Sequence, residues 1–359
     1  TRMRGRLIEV MTANGISPDV QVEILRILST VREFMFPSSH AHSFASIAYS
    51  SAYTKFHYLA AYTGALLNNQ PMGFYSPSTI VNDAKRHGLK VLPIDVQHSE
   101  WNCTLETLSQ VESRKYTDPF ALRIGLRYVK GLRQETGNAI VEARLSDGRF
   151  ASEYDLKRRV PAIRKAELAL LAKAGAFNWT GKKHDRRTAL WRAERAGQSA
   201  GPLFENIPDE YEISASSPLL SMTIDERLIA DFFITGFTIG PHPMAYHRTE
   251  MNESGVLSAA DLKAIPDGTF VRVAGAVIAR QRPGTASGFI FVSNEDETGI
   301  SNAIIHPKLY EQNRVAVTRG KFLVVEGVLQ NQDGVISVKA SAVRVLQLSE
   351  VDVRSHDFH

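Results

Sequence analysis

A single cysteine, Cys103, stands among 359 residues. It excludes an internal disulfide and a cysteine-cluster metal site, and it favours a reducing, cytoplasmic setting. No run of 18 or more apolar residues occurs, so no transmembrane helix is expected. Thr1-Arg2-Met3-Arg4-Gly5-Arg6 precedes only a short mixed segment, without a signal-peptide core. The chain starts at a non-Met residue inside a helical pattern and reads as a piece of something longer. Walker-type and dinucleotide-binding glycine patterns are missing, as is His-Glu-x-x-His. A nucleotidyl transferase needs carboxylates that hold two divalent ions. The densest acidic cluster, Glu295-Asp296-Glu297, runs into Thr298-Gly299 between two expected strands and reads as a solvated β-turn. His40 and His42, flanked by Ser39 and Ser43, lack ligand spacing and read as structural. No complete active site and no metal site is legible.

What is present is a soluble, core-forming composition with 43% apolar and 22% charged residues. At about 150 residues per domain the length allows two or three folded units. Charge is unevenly placed. Residues 114–195 hold 20 Lys/Arg against 9 Asp/Glu, a net of +11, and the remainder carries −7. A basic middle between acidic flanks points to a localised polyanion-binding surface.

Periodicity and punctuation organise the rest. Helices are expected over residues 7–14 and 19–35, parted by Ser17-Pro18-Asp19, and then in one long run over 43–67. Gln70 to Pro77 is a Pro/Gly loop, followed by a helix over 78–87 and an extended run over 90–96. Further helices are expected over 134–144, 153–158, 165–174 and 186–196. Residues 197–220 read as a linker, and 224–233 as a connecting helix. Five strand-like runs follow, over 269–279, 288–292, 300–305, 322–330 and 335–346. Asp333-Gly334 is the hairpin turn between the last two, and a short helix over 307–313 separates the third and fourth. That is the pattern of an OB-fold barrel. The fold class expected is therefore multidomain α+β, with all-α N-terminal and helix-hairpin-helix regions ahead of a five-stranded OB barrel.

Two stretches carry recognition chemistry. Val129-Lys130-Gly131-Leu132 is a hydrophobic-x-Gly-hydrophobic hairpin leading into a helix. The free N–H groups and dipole of a helix N-terminus favour phosphate there. Gly131 permits close backbone approach, while Arg127, Lys130 and Arg133 add charge. About 40 residues on, Leu171 to Phe177, with Lys173 and Gly175, resembles a second, degenerate hairpin. Two such hairpins grip a duplex backbone without reading sequence; the bland alternative for each is a glycine-capped helix end. In the barrel, Arg280 and Arg282 lie between the first two strands, and Phe289 and Phe291 lie on the second. They are candidates for a single-strand groove, the arginines more so than the phenylalanines, since a phenylalanine in a strand is more often core than stacking platform.

These residues also resemble a family. Phe36-Pro37-x-Ser39-His40-Ala41-x-Ser43-Phe44-Ala45 and Leu66-Leu67-Asn68-x-Gln70-Pro71-Met72-Gly73-Phe74-Tyr75-Ser76-Pro77 are similar to segments of bacterial C-family DNA polymerases. So are Asp83-Ala84-x-Arg86-His87-Gly88, Val91-Leu92-Pro93-x-Asp95-Val96 and Trp101-x-Cys103-Thr104-Leu105-Glu106. Gln70 to Pro77 resembles the error-prone, ImuC or DnaE-like branch. Gly125 to Leu132, Arg280 to Thr285, Asp296 to Gly299 and Asp357-Phe358-His359 resemble it as well.

The resemblance implies the C-terminal part of such a polymerase. Residues 1–115 would be late fingers, 116–196 a tandem helix-hairpin-helix domain, 197–265 a linker and connecting helix, 266–348 the OB domain and 349–359 a tail. His40 and Ser43 would lie on the nucleotide side of the fingers. The catalytic palm, with its aspartates and Mg2+, would lie upstream; no cofactor is expected on this segment. Expected partners are primer–template DNA, single-stranded template, an inactive Y-family-like polymerase and a RecA-like accessory protein, with the sliding clamp reached through them. One departure is that Val31-Arg32-Glu33-Phe34-Met35-Phe36-Pro37 replaces a glycine-rich run. Gln347 to Val351 and Gln198 to Phe204 only faintly resemble clamp-binding peptides and read as exposed tail and linker. The rival readings are a free-standing DNA-binding or scaffold module and an RNA-binding OB protein.

Overall fold

The computed structural model describes residues 2–31, 38–73, 75–177, 185–197, 217–332, 334–348 and 356–358. The replaced glycine-rich run from Arg32 on, most of the expected linker, the peptide from Gln198 to Phe204 and Asp333 of the expected turn lie outside these residues. The chain divides into two compact units, Thr1–His57 and Tyr58–His359.

In the first unit, α1 (Arg2–Ala13), α2 (Pro18–Val31) and α3 (Ser38–His57) are the described helices. Gly15 takes a left-handed φ of 72° and lets Ile16 N–H return to the Met11 carbonyl at 3.0 Å, closing α1. Gln21 fastens the turn by donating from Nε2 to the Ile16 carbonyl at 2.7 Å. Along α3, Phe44, Ile47, Tyr49, Tyr53 and Phe56 are exposed. The single long helix expected over 43–67 is interrupted at Tyr58, whose φ/ψ of −139°/52° is not helical. Leu59 starts a new helix, and the buried Ala60 N–H is taken by the Asp118 carboxylate at 2.9 Å.

The second unit begins with α4 (Leu59–Asn68) and α5 (Pro77–Arg86). Ser76 caps α5 by accepting the Thr79 N–H, with Pro77 at the first helical position. A small sheet follows. The strands β1 (Val91–Leu92) and β2 (Thr104–Thr107) flank β3 (Phe120–Arg123), parallel and antiparallel respectively. A short α6 (Gln110–Ser113) sits between β2 and β3, and α7 (Gln134–Asp147), α8 (Glu153–Arg159), α9 (Lys165–Ala174) and α10 (Arg186–Ala196) follow the sheet. One apolar core joins these elements, with Leu67, Leu122, Ile124, Leu126, Ile140, Leu156, Leu168 and Leu171 almost wholly buried. It runs without interruption across residue 115, where the sequence suggested a boundary.

α11 (Ile224–Ile234) and α12 (Arg248–Glu253) lead to the barrel of β4 (Phe270–Gln281), β5 (Ile290–Glu295), β6 (Ile300–Ile305), β7 (Phe322–Gln332) and β8 (Val335–Val345). The order β5-β6-β8-β7-β4 closes through β4–β5 pairing, with β6 and β8 parallel. Two short helices, α13 (Pro307–Gln312) and α14 (Arg314–Arg319), bridge β6 and β7 where one was expected. Gly327 is obligatory at the β7–β8 bulge, because a Cβ there would sit 2.1 Å from the Lys339 carbonyl oxygen. A last strand, β9 (His356–Phe358), pairs parallel to β4 at Ala279–Gln281. This is the closed five-stranded OB-type barrel after a helical region that the sequence pattern led us to expect.

Candidate nucleic-acid interface

The first hairpin forms as its sequence suggests. Leu126–Tyr128 is a turn of 3₁₀ helix, Val129 N–H bonds the Leu126 carbonyl at 2.9 Å, and Leu132 N–H bonds the Val129 carbonyl at 3.0 Å. Gly131 lies at φ 89°, a conformation costly for other residues, and a Cβ there would meet Leu170 at 3.0 Å. Arg133 then enters α7 in extended conformation, without a side-chain cap.

The second hairpin is not where the sequence analysis placed it. Gly175, at φ 74°, is the left-handed C-cap of α9. Its N–H bonds the Ala172 carbonyl, and Ala176 N–H bonds that of Leu171, each at 3.0 Å. The matching turn lies one helix earlier, at Val160-Pro161-Ala162-Ile163-Arg164. Val160 N–H bonds the Leu156 carbonyl at 2.9 Å, and Ile163 N–H bonds the Val160 carbonyl at 3.1 Å. Arg164 then enters α9 with φ/ψ of −84°/153°, close to the −75°/146° of Arg133. The sequence obscured this repeat because the turn has no glycine. Pro161 supplies the turn's first central residue, and Ala162 keeps a negative φ. The legible signal was Val-x-x-Leu/Ile-Arg recurring after 31 residues. Lys157 supports this turn, donating from Nζ to the carbonyls of Pro161 and Ile163 at 3.1 and 2.7 Å.

A carboxylate joins the hairpins. Glu167, on the first turn of α9 and buried, accepts Arg133 N–H at 3.1 Å and Nε at 2.9 Å on one oxygen. Its other oxygen accepts the second arm of Arg133 at 2.8 Å and Arg164 N–H at 2.9 Å. Arg133 also donates to the Ala162 carbonyl at 2.8 Å. Burial alone would raise the Glu167 carboxyl, but these donors more than offset it and hold it down at about 2. The first N–H groups of α7 and of α9, which have no acceptor inside their own helices, thus start from one shared anchor.

Several proposed phosphate contacts have internal partners. Arg127 is half-buried and donates to the Asn68 and Gln70 carbonyls at 2.5 and 2.9 Å. Lys130 reaches the Phe232 and Phe233 carbonyls at 3.2 and 3.3 Å, near the end of α11. Arg133 is committed to Glu167. Lys173 is half-buried in the last turn of α9. By contrast Arg164 is exposed, and exposed Lys165 pairs with the similarly exposed Glu194, at 2.9 Å.

On the barrel, Arg280 braces α14, donating from Nε to the Val317 carbonyl at 2.5 Å and from another nitrogen to that of Gly320. Arg282 is exposed, its guanidinium 5.2 Å from the Tyr310 ring centre. Phe289 is half-buried edge-to-face with His306, and Phe291 is exposed on the outer face. Strand register sets Phe291 opposite Ile304, and Ile304 opposite Lys339, so an aromatic, an aliphatic and a cation share one row. Sequence reasoning missed Ile304 and Lys339 because cross-strand neighbours are visible only once the register is known. His40 and Ser43 lie exposed on α3, with the His40 ring 4.4 Å from that of Phe44.

The acidic cluster is not a solvated turn. Glu295 and Asp296 are buried. Glu295 takes Arg86 at 2.8 Å and Asn82 at 3.0 Å from α5. Asp296 and Glu297 take Arg248 of α12. Among the described residues no group of three His, Cys, Asp or Glu side chains is arranged to hold a metal ion.

Comparison with known proteins agrees with this architecture. Residues 88–189 match the family model described as a helix-hairpin-helix motif, and residues 271–346 match that described as an OB-fold nucleic acid binding domain. Fold and matches together define the class: a helix-hairpin-helix region joined to an OB barrel, both nucleic-acid-binding folds. Error-prone DNA polymerases from Anaeromyxobacter dehalogenans (strain 2CP-C), Alkalilimnicola ehrlichii and Pseudomonas paraeruginosa are 40%, 38% and 38% identical to the chain, each over 99% of it. The matches take in 31%, 34% and 34% of those proteins, so the chain spans about a third of their length. The chain is a homologue of the C-terminal part of error-prone DNA polymerases. An asparaginyl-tRNA synthetase from Pyrococcus horikoshii is similar over 26% of this chain and 24% of its own, at 28% identity. The TM-score of that match is 0.23.

Proposed function

We propose that this chain is the DNA-holding region of an error-prone DNA polymerase that copies damaged template. The observation that carries the reading is the pair of hairpins joined through Glu167, which starts two helices from one anchor in the most basic segment of the chain. Helix N-termini of this kind take backbone phosphates regardless of sequence. Lys130, Gly131, Arg164 and Lys165 would line that contact; Arg127, Arg133, Lys173 and Gly175 would support it from behind. The barrel would take single-stranded template through Arg282, Phe291 and Lys339, with Arg280 and Phe289 shaping the loop. His40 and Ser43 would belong to the nucleotide side of the fingers. Template-directed nucleotide addition, with Mg2+, would be the work of a palm outside this segment. In the cell the region would sit on nucleoid DNA, with an inactive Y-family-like polymerase and a RecA-like protein linking it to the sliding clamp.

The test is a salt-dependent binding titration of the chain on a primer–template junction, a single strand and a structured RNA. Tightest binding to the junction, with log affinity falling steeply against log salt, is the expected result. Equal, weak binding to all three would overturn the reading and leave the basic segment as a protein-facing surface.

A further inference from the structure

A carboxylate at the centre of a surface meant for a polyanion is an electrostatic liability unless it has another task. Glu167 accepts four hydrogen bonds. Three come from Arg133, at the start of α7, and one from the backbone of Arg164, at the start of α9. Its side chain is 4% exposed and that of Arg133 36%, so the guanidinium, not the carboxylate, faces water. No other carboxylate bonds the backbone N–H at both helix starts among the described residues. Without it Arg133 N–H and Arg164 N–H each lose their acceptor, and among the described residues the Arg133–Ala162 bond and the apolar packing around Leu132, Ile163 and Leu168 are left to tie the two helix starts together.

We infer that Glu167 is a positioning residue for DNA: it fixes the two hairpins in register so that both helix N-termini meet one duplex backbone together. The inference rests on the duplex-holding role proposed above. It makes a prediction opposite in sign to simple charge counting. Removing a negative charge from a polyanion site should tighten binding; removing a positioning anchor should weaken it.

Two variants separate the effects. E167Q removes the charge and keeps the size. E167D keeps the charge but is one methylene short of spanning both helix starts. For each, affinity of the 359-residue chain for a short DNA duplex is measured over a range of salt, alongside amide hydrogen exchange at Arg133 and Arg164. Both variants should bind about tenfold more weakly, roughly the worth of one charge-assisted hydrogen bond. The salt slope should be unchanged, because no phosphate contact is deleted. Exchange at Arg133 and Arg164 should speed up in both together. Parental or tighter binding by folded E167Q and E167D would overturn the inference while leaving duplex binding intact. Should E167Q fail to fold, E167D alone decides. A parental chain without salt-dependent duplex binding would instead overturn the underlying reading, and this inference with it.

Discussion

Removing Arg86 tests how the barrel is fastened to the helices beside it. The Arg86 side chain is 18% exposed and that of Glu295 only 2%, with 2.8 Å between the paired atoms. Burial raises the Glu295 carboxyl above its ordinary range, opposed by Arg86 and Asn82. In R86M, among the described residues, the buried carboxylate keeps the Asn82 amide at 3.0 Å as its one remaining hydrogen-bond donor. Breaking a buried pair from one side costs about 3–5 kcal/mol. A cavity of about 270 Å³ lined by Asn82, Lys85, Arg86 and His242 lies alongside and admits water. The cost should therefore fall near the low end, about 3 kcal/mol. A raised carboxylate pKa destabilises the fold in full above that pKa, and the penalty fades as pH falls from it towards the ordinary value near 4.5. The R86M deficit should thus shrink as pH falls from 7 towards 5. Neutralising the stranded partner in R86M/E295Q should recover most of the loss, since an amide can still accept from Asn82. The assay is urea unfolding followed by tryptophan fluorescence, Trp101, Trp179 and Trp191 all preceding the barrel in the chain, and by amide hydrogen exchange of the barrel strands. In R86M the two signals should separate. A deficit under about 1 kcal/mol, or a double variant as unstable as the sum of the singles, would refute the argument.

Other expectations follow from the same geometry. Gly175→Ala should cost upwards of about 1 kcal/mol in unfolding, because the C-cap needs φ 74° and a Cβ there would meet Nε of Arg186, held by Asp231, at 2.7 Å. It should leave the salt slope of duplex binding untouched, whereas a true hairpin glycine would change it. Arg280→Ala should lower thermal stability through loss of its bonds to Val317 and Gly320, while Arg282→Ala should leave stability within ~0.5 kcal/mol and weaken single-strand binding. Burial pushes the Cys103 thiol up to about 11. A thiol reagent at pH 8 should therefore label the chain only at the rate of unfolding. Acid should act on Glu167 in a defined window. A carboxyl held down at about 2 contributes stability above its ordinary value near 4.5 and loses it as pH falls towards 2. Parent and E167Q should therefore converge in stability over that interval.

The architecture was legible because each element follows a local rule. Ser76-Pro77 starts α5 and Lys165 to Ala174 forms α9 at the expected bounds, and Ile300 to Ile305 forms β6 over the expected residues, although its register buries Ser301, Ala303 and Ile305 and leaves Ile300 exposed. The long helix over 43–67 was read through Tyr58 because no proline or glycine marks that position. Its interruption coincides with a tertiary bond, from Ala60 N–H to Asp118, 58 residues away. The second hairpin was misplaced for a related reason. Glycine is the usual mark of a tight turn, yet one turn here gains its shape from Pro161 with Lys157 beneath it, and the visible Gly175 serves a helix end.

Charge was legible as a total and not as a set of contacts. Composition reveals that 20 cations crowd residues 114–195, but not which of them face a partner. A guanidinium with five donors can brace a loop by bonding carbonyls, as Arg127 does at Asn68 and Gln70, and Arg159 at Gly148. Those carbonyls lie at the ends of helices or in connecting turns, where backbone acceptors lack helical partners, so a basic segment built of short helices consumes its own charge in holding its turns. On the proposed function, the surface left for phosphate would be made less by the arginines nearest the Gly131 hairpin than by helix N-termini. Arg164 and Lys165, whose stretch has no glycine to advertise it, add their charge at one of them. The same logic explains why an acidic residue belongs at the heart of a basic region. Glu167 takes up one guanidinium and two backbone donors, so that the remaining donors of α7 and α9 start from a fixed position.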